Sequence, residues 1–133
     1  MAYINKKKRE EIKQKFNGLC AYSGTPLEDD WQVEHIKPLV RNWFDGTSMF
    51  PDAHRDENLV PVQKIINHYK GSLDLETFKS WYLCGLHKRL AKLPKNPKTE
   101  KSKRKIEYLN KVASYFGITP TNPFSGTLYF ENL

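Results

Sequence analysis

A glutamate and a histidine stand side by side in the run Val33-Glu34-His35-Ile36-Lys37-Pro38-Leu39, and two asparagines, Asn58 and Asn67, follow nine positions apart. A carboxylate and an amide oxygen are hard donors of the kind that bind Mg²⁺ or Mn²⁺. Imidazole is the side chain that takes a proton near neutral pH. Together they supply what hydrolysis of a phosphodiester needs: a base for the attacking water, and a cation against the charge that builds on phosphorus and on the leaving oxygen. Neighbouring residues of a regular strand face opposite ways, so Glu34 and His35 can serve one small site only if the strand bends or ends there. Lys37-Pro38, immediately afterwards, favours such an ending.

The elements that must position these groups can be read from pattern. Residues 5–17 have Ile12 and Phe16 on one face, Lys and Arg over the rest, and Asn17-Gly18 as a stop; they predict a basic helix that packs lightly and leaves its charge in solvent. Leu19 to Tyr22 and Trp31 to Ile36 suit short strands, with turn formers between, and predict an irregular hairpin. Residues 40–57 read as a long loop. Pro61 is placed at the start of a short helix that ends at Gly71. A further helix is expected from an Asp74 cap to Pro94, carrying Leu75, Phe78, Tyr82, Leu86 and Leu90, and a last one over 99–116. The Pro- and Gly-rich tail, 119–133, is expected to dock as a strand near Thr127-Leu128-Tyr129-Phe130.

Composition bounds the partners. The chain has 133 residues, room for one ordinary domain, and 22 Lys and Arg against 15 Asp and Glu give a formal charge of +7 and a pI near 9.4. A polyanion is therefore favoured, nucleic acid first. Ten Lys or Arg between Lys88 and Lys111 face only Glu100 and Glu107. That makes Lys88, Arg89, Lys92, Lys101, Lys103, Arg104 and Lys105 candidate phosphate contacts, as is Lys70. No apolar run is long enough for a membrane span or a signal segment, so no membrane partner and a cytoplasmic location are expected. Cys20 and Cys84, without a partner pattern, are read as reduced thiols. Trp31, Trp81 and the phenylalanines are read as core; Trp43 and Phe44, in the loop, are the aromatics that could meet a base. His54 and His87 are read as structural or solvated.

Taken in order, Leu19-Cys20-Ala21-Tyr22-Ser23-Gly24, Val33-Glu34-His35-Ile36-Lys37-Pro38-Leu39, Asn58-Leu59-Val60 and Asn67-His68-Tyr69-Lys70-Gly71 resemble the HNH endonucleases. The likeness covers about residues 18–80 and is nearest to the HNH module of the CRISPR effector nucleases. It implies an α+β fold, a ββα-metal core with additional N- and C-terminal helices, a basic helical extension over about 81–117 and a tail over 118–133. It also implies roles: His35 as general base, Asn58 bracing the histidine loop, and Glu34 with Asn67 on one divalent metal. Mg²⁺ is the expected ion, with Mn²⁺ as alternative; if His68 were the ligand in place of Asn67, Zn²⁺ or Ni²⁺ would compete. The chain departs from the family in three places. Glu34 replaces the usual aspartate, and the stretch from His35 to Asn58 is longer than in compact members. Cys20 with Ser23, then Gln63 and Ile66, stand where many members carry two Cys-x-x-Cys pairs on zinc, so no structural zinc is expected. The implied activity is hydrolysis of DNA, double-stranded first, by a monomer that nicks or with a second copy or partner protein. Two rivals are kept: a catalytically idle nucleic-acid-binding module, and the nuclease subunit of a phage-defence or phage-packaging complex.

Overall fold

The computed structural model describes residues 4–37 and 56–133. Trp43, Phe44, His54 and most of the expected long loop lie outside the described residues. The architecture is α+β: helices together with a two-stranded antiparallel sheet. The chain divides into two compact units, Met1–Leu75 with Leu128–Leu133, and Glu76–Thr127, where its length had suggested one.

In the first unit, helix α1 (Lys6–Gln14) begins at Asn5, whose Oδ1 accepts the Lys8 N–H at 2.8 Å. Its buried Ile12 meets Trp31 and Leu59, with Ile4, Leu27 and Val33 packed around them. Lys6, Lys7, Glu10 and Glu11 are exposed, in line with charge left in solvent, while Lys8, Arg9 and Lys15 also make specific contacts. Arg9 lies 3.9 Å over the Trp31 ring and donates to the Trp31 carbonyl. Lys8 pairs with Asp56, and Lys15 donates to the carbonyls of Asp56 and Leu59, the latter at 2.6 Å. Burial pushes the Lys15 ammonium below its ordinary pKa.

Strand β1 (Gln32–His35) pairs with β2 (Leu59–Val62) in the register Gln32 to Val62, Val33 to Pro61, Glu34 to Val60 and His35 to Leu59. Pro61 therefore sits in a strand and not at a helix start. In a sheet of two strands each has a free edge, so a residue without an N–H is tolerated there. The outward Pro61 carbonyl accepts the Ala21 N–H at 2.8 Å. Helix α2 (Lys64–Lys70) follows β2 and packs on β1, closed by Gly71 at φ +60°. Leu19 makes only a single bridge, to Pro26, so the expected hairpin of 19–22 with 31–36 is replaced by the pairing of β1 with β2. The tail docks by a helical turn, Tyr129–Asn132, and not by a strand: the Tyr129 and Phe130 N–H groups donate to Tyr22 and Ala21 carbonyls. Gly24 makes room for it. A Cβ there would come within 2.6 Å of the Tyr129 ring, and its φ of +73° suits glycine.

The second unit departs from a continuous helix over 74–94. A short α3 (Leu75–Thr77) runs into a π-helical stretch, Phe78–Leu83, and after Cys84-Gly85 comes α4 (Leu86–Ala91). Five-residue spacing is what a π turn aligns, and it allows Phe78 and Leu83 both to be buried. Helix α5 (Glu100–Tyr115), capped by Thr99, packs against α4 through Leu109, Val112 and Ala113.

Candidate active site

β1 runs through both Glu34 and His35 before the chain bends at Ile36 and Lys37, so the two side chains leave opposite faces of the strand and are not brought to one side as the expected site required. Asn58 holds that bend from three sides. Its Oδ1 accepts the Lys37 N–H at 2.7 Å, its Nδ2 donates to the Lys37 carbonyl at 3.0 Å, and its own carbonyl accepts the Ile36 N–H at 3.0 Å. The helical turn Asp56–Asn58 that carries it is tied to α1 by Lys8 and Lys15. Asn58 is thus bonded to the two residues that follow His35. His35 is half-buried at the strand end.

Glu34 faces the other way, towards α2, and is buried at 5 % exposure. Its Oε2 lies 3.2 Å from the Lys70 ammonium and accepts the Tyr22 hydroxyl at 3.4 Å. Burial raises the Glu34 carboxyl above the ordinary range, against the opposing charge and hydrogen bond of Lys70. Burial and then the Glu34 charge push the Tyr22 phenol upward too. Lys70 itself is 1 % exposed, and its ammonium lies 3.5 Å from the carbonyls of both His35 and Ile36. This corrects its reading as a phosphate contact: the ammonium is spent inside the molecule, where it fastens α2 to the end of β1.

One turn earlier on α2, Asn67 Nδ2 donates to Gln32 Oε1 at 2.8 Å. Gln32 and Glu34 share one face of β1, and Asn67 and Lys70 share one face of α2, so the two pairs form parallel rungs. Asn67 is half-buried in this seam, whereas the alternative ligand His68 is exposed. The donor set has the chemistry for a hard divalent ion: a carboxylate, and an amide oxygen that the bond to Gln32 does not use. As the side chains stand, Lys70 holds the carboxylate and Gln32 engages the amide, so these two donors do not form an open cation site. Among the described residues, no three His, Cys, Asp or Glu side chains stand together as a metal cluster.

Two residues of this site were missed by motif reading. Gln32 was accessible from the two-residue period of the strand, which places it beside Glu34. Tyr22 lay within the Cys-Ala-Tyr-Ser-Gly string, but nothing local told that its hydroxyl would reach the carboxylate.

A third group lies at the turn that carries Cys20 and Ser23 and meets Gln63. Gln63, fully buried, donates to Thr25 Oγ1 at 3.1 Å and to the Pro26 carbonyl at 2.7 Å, and its Oε1 accepts the Glu28 N–H at 3.0 Å. The turn it holds is closed by Cys20 N–H to the Thr25 carbonyl and Gly24 N–H to the Cys20 carbonyl, both 2.8 Å.

Of the basic candidates in the second unit, Lys88, Lys92, Lys101, Lys103, Arg104 and Lys105 are exposed. Lys103 pairs with Glu100 at 3.4 Å. Arg89 is half-buried and donates to the carbonyls of Trp81 and Tyr82, so its guanidinium serves the π turn before it serves any ligand. Trp81, expected in the core, is exposed. No helix among the described residues is long and apolar enough to cross a membrane. Comparison of the chain with models of protein families, with curated proteins and with solved structures returns no match.

Proposed function

We propose that this chain is a metal-dependent endonuclease of the HNH type that hydrolyses phosphodiester bonds in DNA, with β1, β2 and α2 as its ββα-metal core. The observation that carries the reading is the grip of Asn58 on both main-chain groups of Lys37, which fixes the segment directly after His35. In the reaction His35 takes the proton of the attacking water, and Asn58 keeps the imidazole's backbone from moving as the charge develops. Glu34 and Asn67 would hold the divalent ion, Mg²⁺ or Mn²⁺, which supplies electrostatic stabilisation at the scissile phosphate. The exposed lysines of α4 and α5 attract the nucleic-acid backbone.

A second reading, an idle nucleic-acid-binding module, is favoured by one observation: the Lys70 ammonium already neutralises Glu34. Cleavage of supercoiled plasmid with Mg²⁺, Mn²⁺, Zn²⁺ or EDTA separates the two. The nuclease reading expects metal-dependent nicking that Glu34→Gln and His35→Ala each reduce by two orders of magnitude or more, in line with what a general base contributes. Salt-sensitive DNA binding without cleavage under any ion, equal in the wild type and His35→Ala, would establish the binding module instead.

A further inference from the structure

The positive charge of this chain is carried by one of its two units. Glu76–Thr127 contains eleven Lys and Arg against Glu76, Glu100 and Glu107, an excess of eight that exceeds the +7 of the whole chain. The remainder, which holds Glu34, His35, Asn58 and Asn67, is close to neutral. Attraction of a polyanion is therefore a property of the helical unit.

That unit also displays Trp81 at 69 % exposure, the most exposed large apolar side chain within the described residues apart from the terminal Leu133. An indole left in water forgoes a large burial gain, and here the backbone beneath it is held in place. The Cys84 N–H donates to the Lys79 carbonyl at 2.9 Å across the π turn, while Arg89 takes the Trp81 and Tyr82 carbonyls. Phe78 and Leu83 anchor the same turn in the core. After Trp81 the exposed positions are Cys84, at the break that follows the π turn, and then Lys88, Ala91 and Lys92 of α4, where Lys88 and Lys92 stand one turn apart. Neither Lys88 nor Lys92 has an ion-pair partner among the described residues.

We infer that Trp81, with Lys88 and Lys92, forms a binding surface for single-stranded or locally unpaired nucleic acid: a base stacks on the indole while the two ammonium groups hold flanking phosphates. A flat aromatic face beside cations suits an unpaired strand, whose bases are free to stack. A paired duplex keeps its bases stacked inside and offers this indole only its edge. The inference refines the nucleic-acid reading above and rests on it for the class of partner, but not on catalysis.

The test is fluorescence anisotropy in EDTA, with the full chain titrated into a labelled 20-nucleotide strand and into the matching duplex over a range of salt. The wild type is expected to prefer the single strand. Trp81→Ala is expected to lose about tenfold in affinity for the strand, within the range that stacking of one base accounts for. Its loss on the duplex is expected to stay below twofold, and its salt dependence to be unchanged. Trp81→Phe retains a stacking face and should recover most of the loss, whereas Lys88→Gln with Lys92→Gln should flatten the salt dependence. An equal loss on strand and duplex, or none on either, overturns the inference. So does intact nucleic-acid affinity combined with a dimer-to-monomer shift in sedimentation of Trp81→Ala, which would assign the indole to a protein contact. If strand binding depends on Trp81 but no ion supports nicking, the endonuclease reading alone fails. If nicking depends on His35 but strand binding ignores Trp81, this inference alone fails.

Discussion

Truncating Asn58 to alanine removes two hydrogen bonds, those of 2.7 and 3.0 Å to the N–H and carbonyl of Lys37, and leaves the main-chain bond from Ile36 N–H to the Asn58 carbonyl in place. The sheet register should survive, because none of its bonds uses that side chain. Each lost bond contributes about 0.5–1.5 kcal/mol, and both lie at an exposed bend, so the bend should loosen by about 1–2 kcal/mol. At 1.36 kcal/mol per tenfold, this corresponds to roughly 5- to 30-fold in any rate that needs the bend closed. Two assays read it. Amide exchange of Lys37, followed by NMR, should accelerate by that factor while the amides of β2 hold, and plasmid nicking should slow by the same factor. Asn58→Asp should be no milder: it keeps the acceptor for the Lys37 N–H but sets an oxygen against the Lys37 carbonyl. Exchange at Lys37 and nicking both within twofold of the wild type would refute the claim that this side chain holds the histidine segment.

Three further outcomes are expected. Gln63→Ala removes three hydrogen bonds, to the Thr25 hydroxyl, the Pro26 carbonyl and the Glu28 N–H, and should cost about 1.5–4.5 kcal/mol in urea unfolding at about 0.5–1.5 kcal/mol each; a loss under about 1 kcal/mol would show that the turn at 20–28 stands without it. Lys70→Met leaves Glu34 buried without its cation and should cost about 3–5 kcal/mol, while adding Glu34→Gln should restore much of the loss; a double variant no more stable than the single one would contradict the pairing. Lys8 holds the Asp56 carboxyl below its ordinary pKa, so the pair adds stability above about pH 4 that is lost as pH falls through the lowered value; Asp56→Asn should flatten the acid limb of the stability curve, and 1 M salt should do the same. An acid limb unchanged by either would argue that the contact is idle.

The order of motifs was legible because each carries a local reason. Strand alternation and the Lys37-Pro38 step placed the end of β1 at His35, and Gly71 marked the end of α2. What stayed hidden depends on distance in sequence. Pro61 reads as a helix starter until it is known that its strand has a free edge facing Ala21. The contacts of Arg9 and Lys15 do not show in the pattern because their acceptors, the carbonyls of Trp31, Asp56 and Leu59, lie far along the chain. Lys70 reads as a phosphate contact for a similar reason: a lysine near a helix end gives no local sign that a carboxylate, 36 positions earlier, will take it inside. The stripe from Leu75 to Leu90 has α-helical spacing, but burial of Phe78 and Leu83 together selects a wider turn and turns Trp81 outward.

The corner at residues 20–28 is closed by an amide, two hydroxyls and main-chain groups, all uncharged. Making these bonds takes up no proton and recruits no ion. These bonds therefore carry no linkage of their own to acidity or to the free concentration of a transition metal, unlike a thiolate corner that must first be deprotonated and then filled. Cys20, fully buried there as a free thiol, is shielded from attack as well. Chelators and mild oxidants should pass this part of the molecule by.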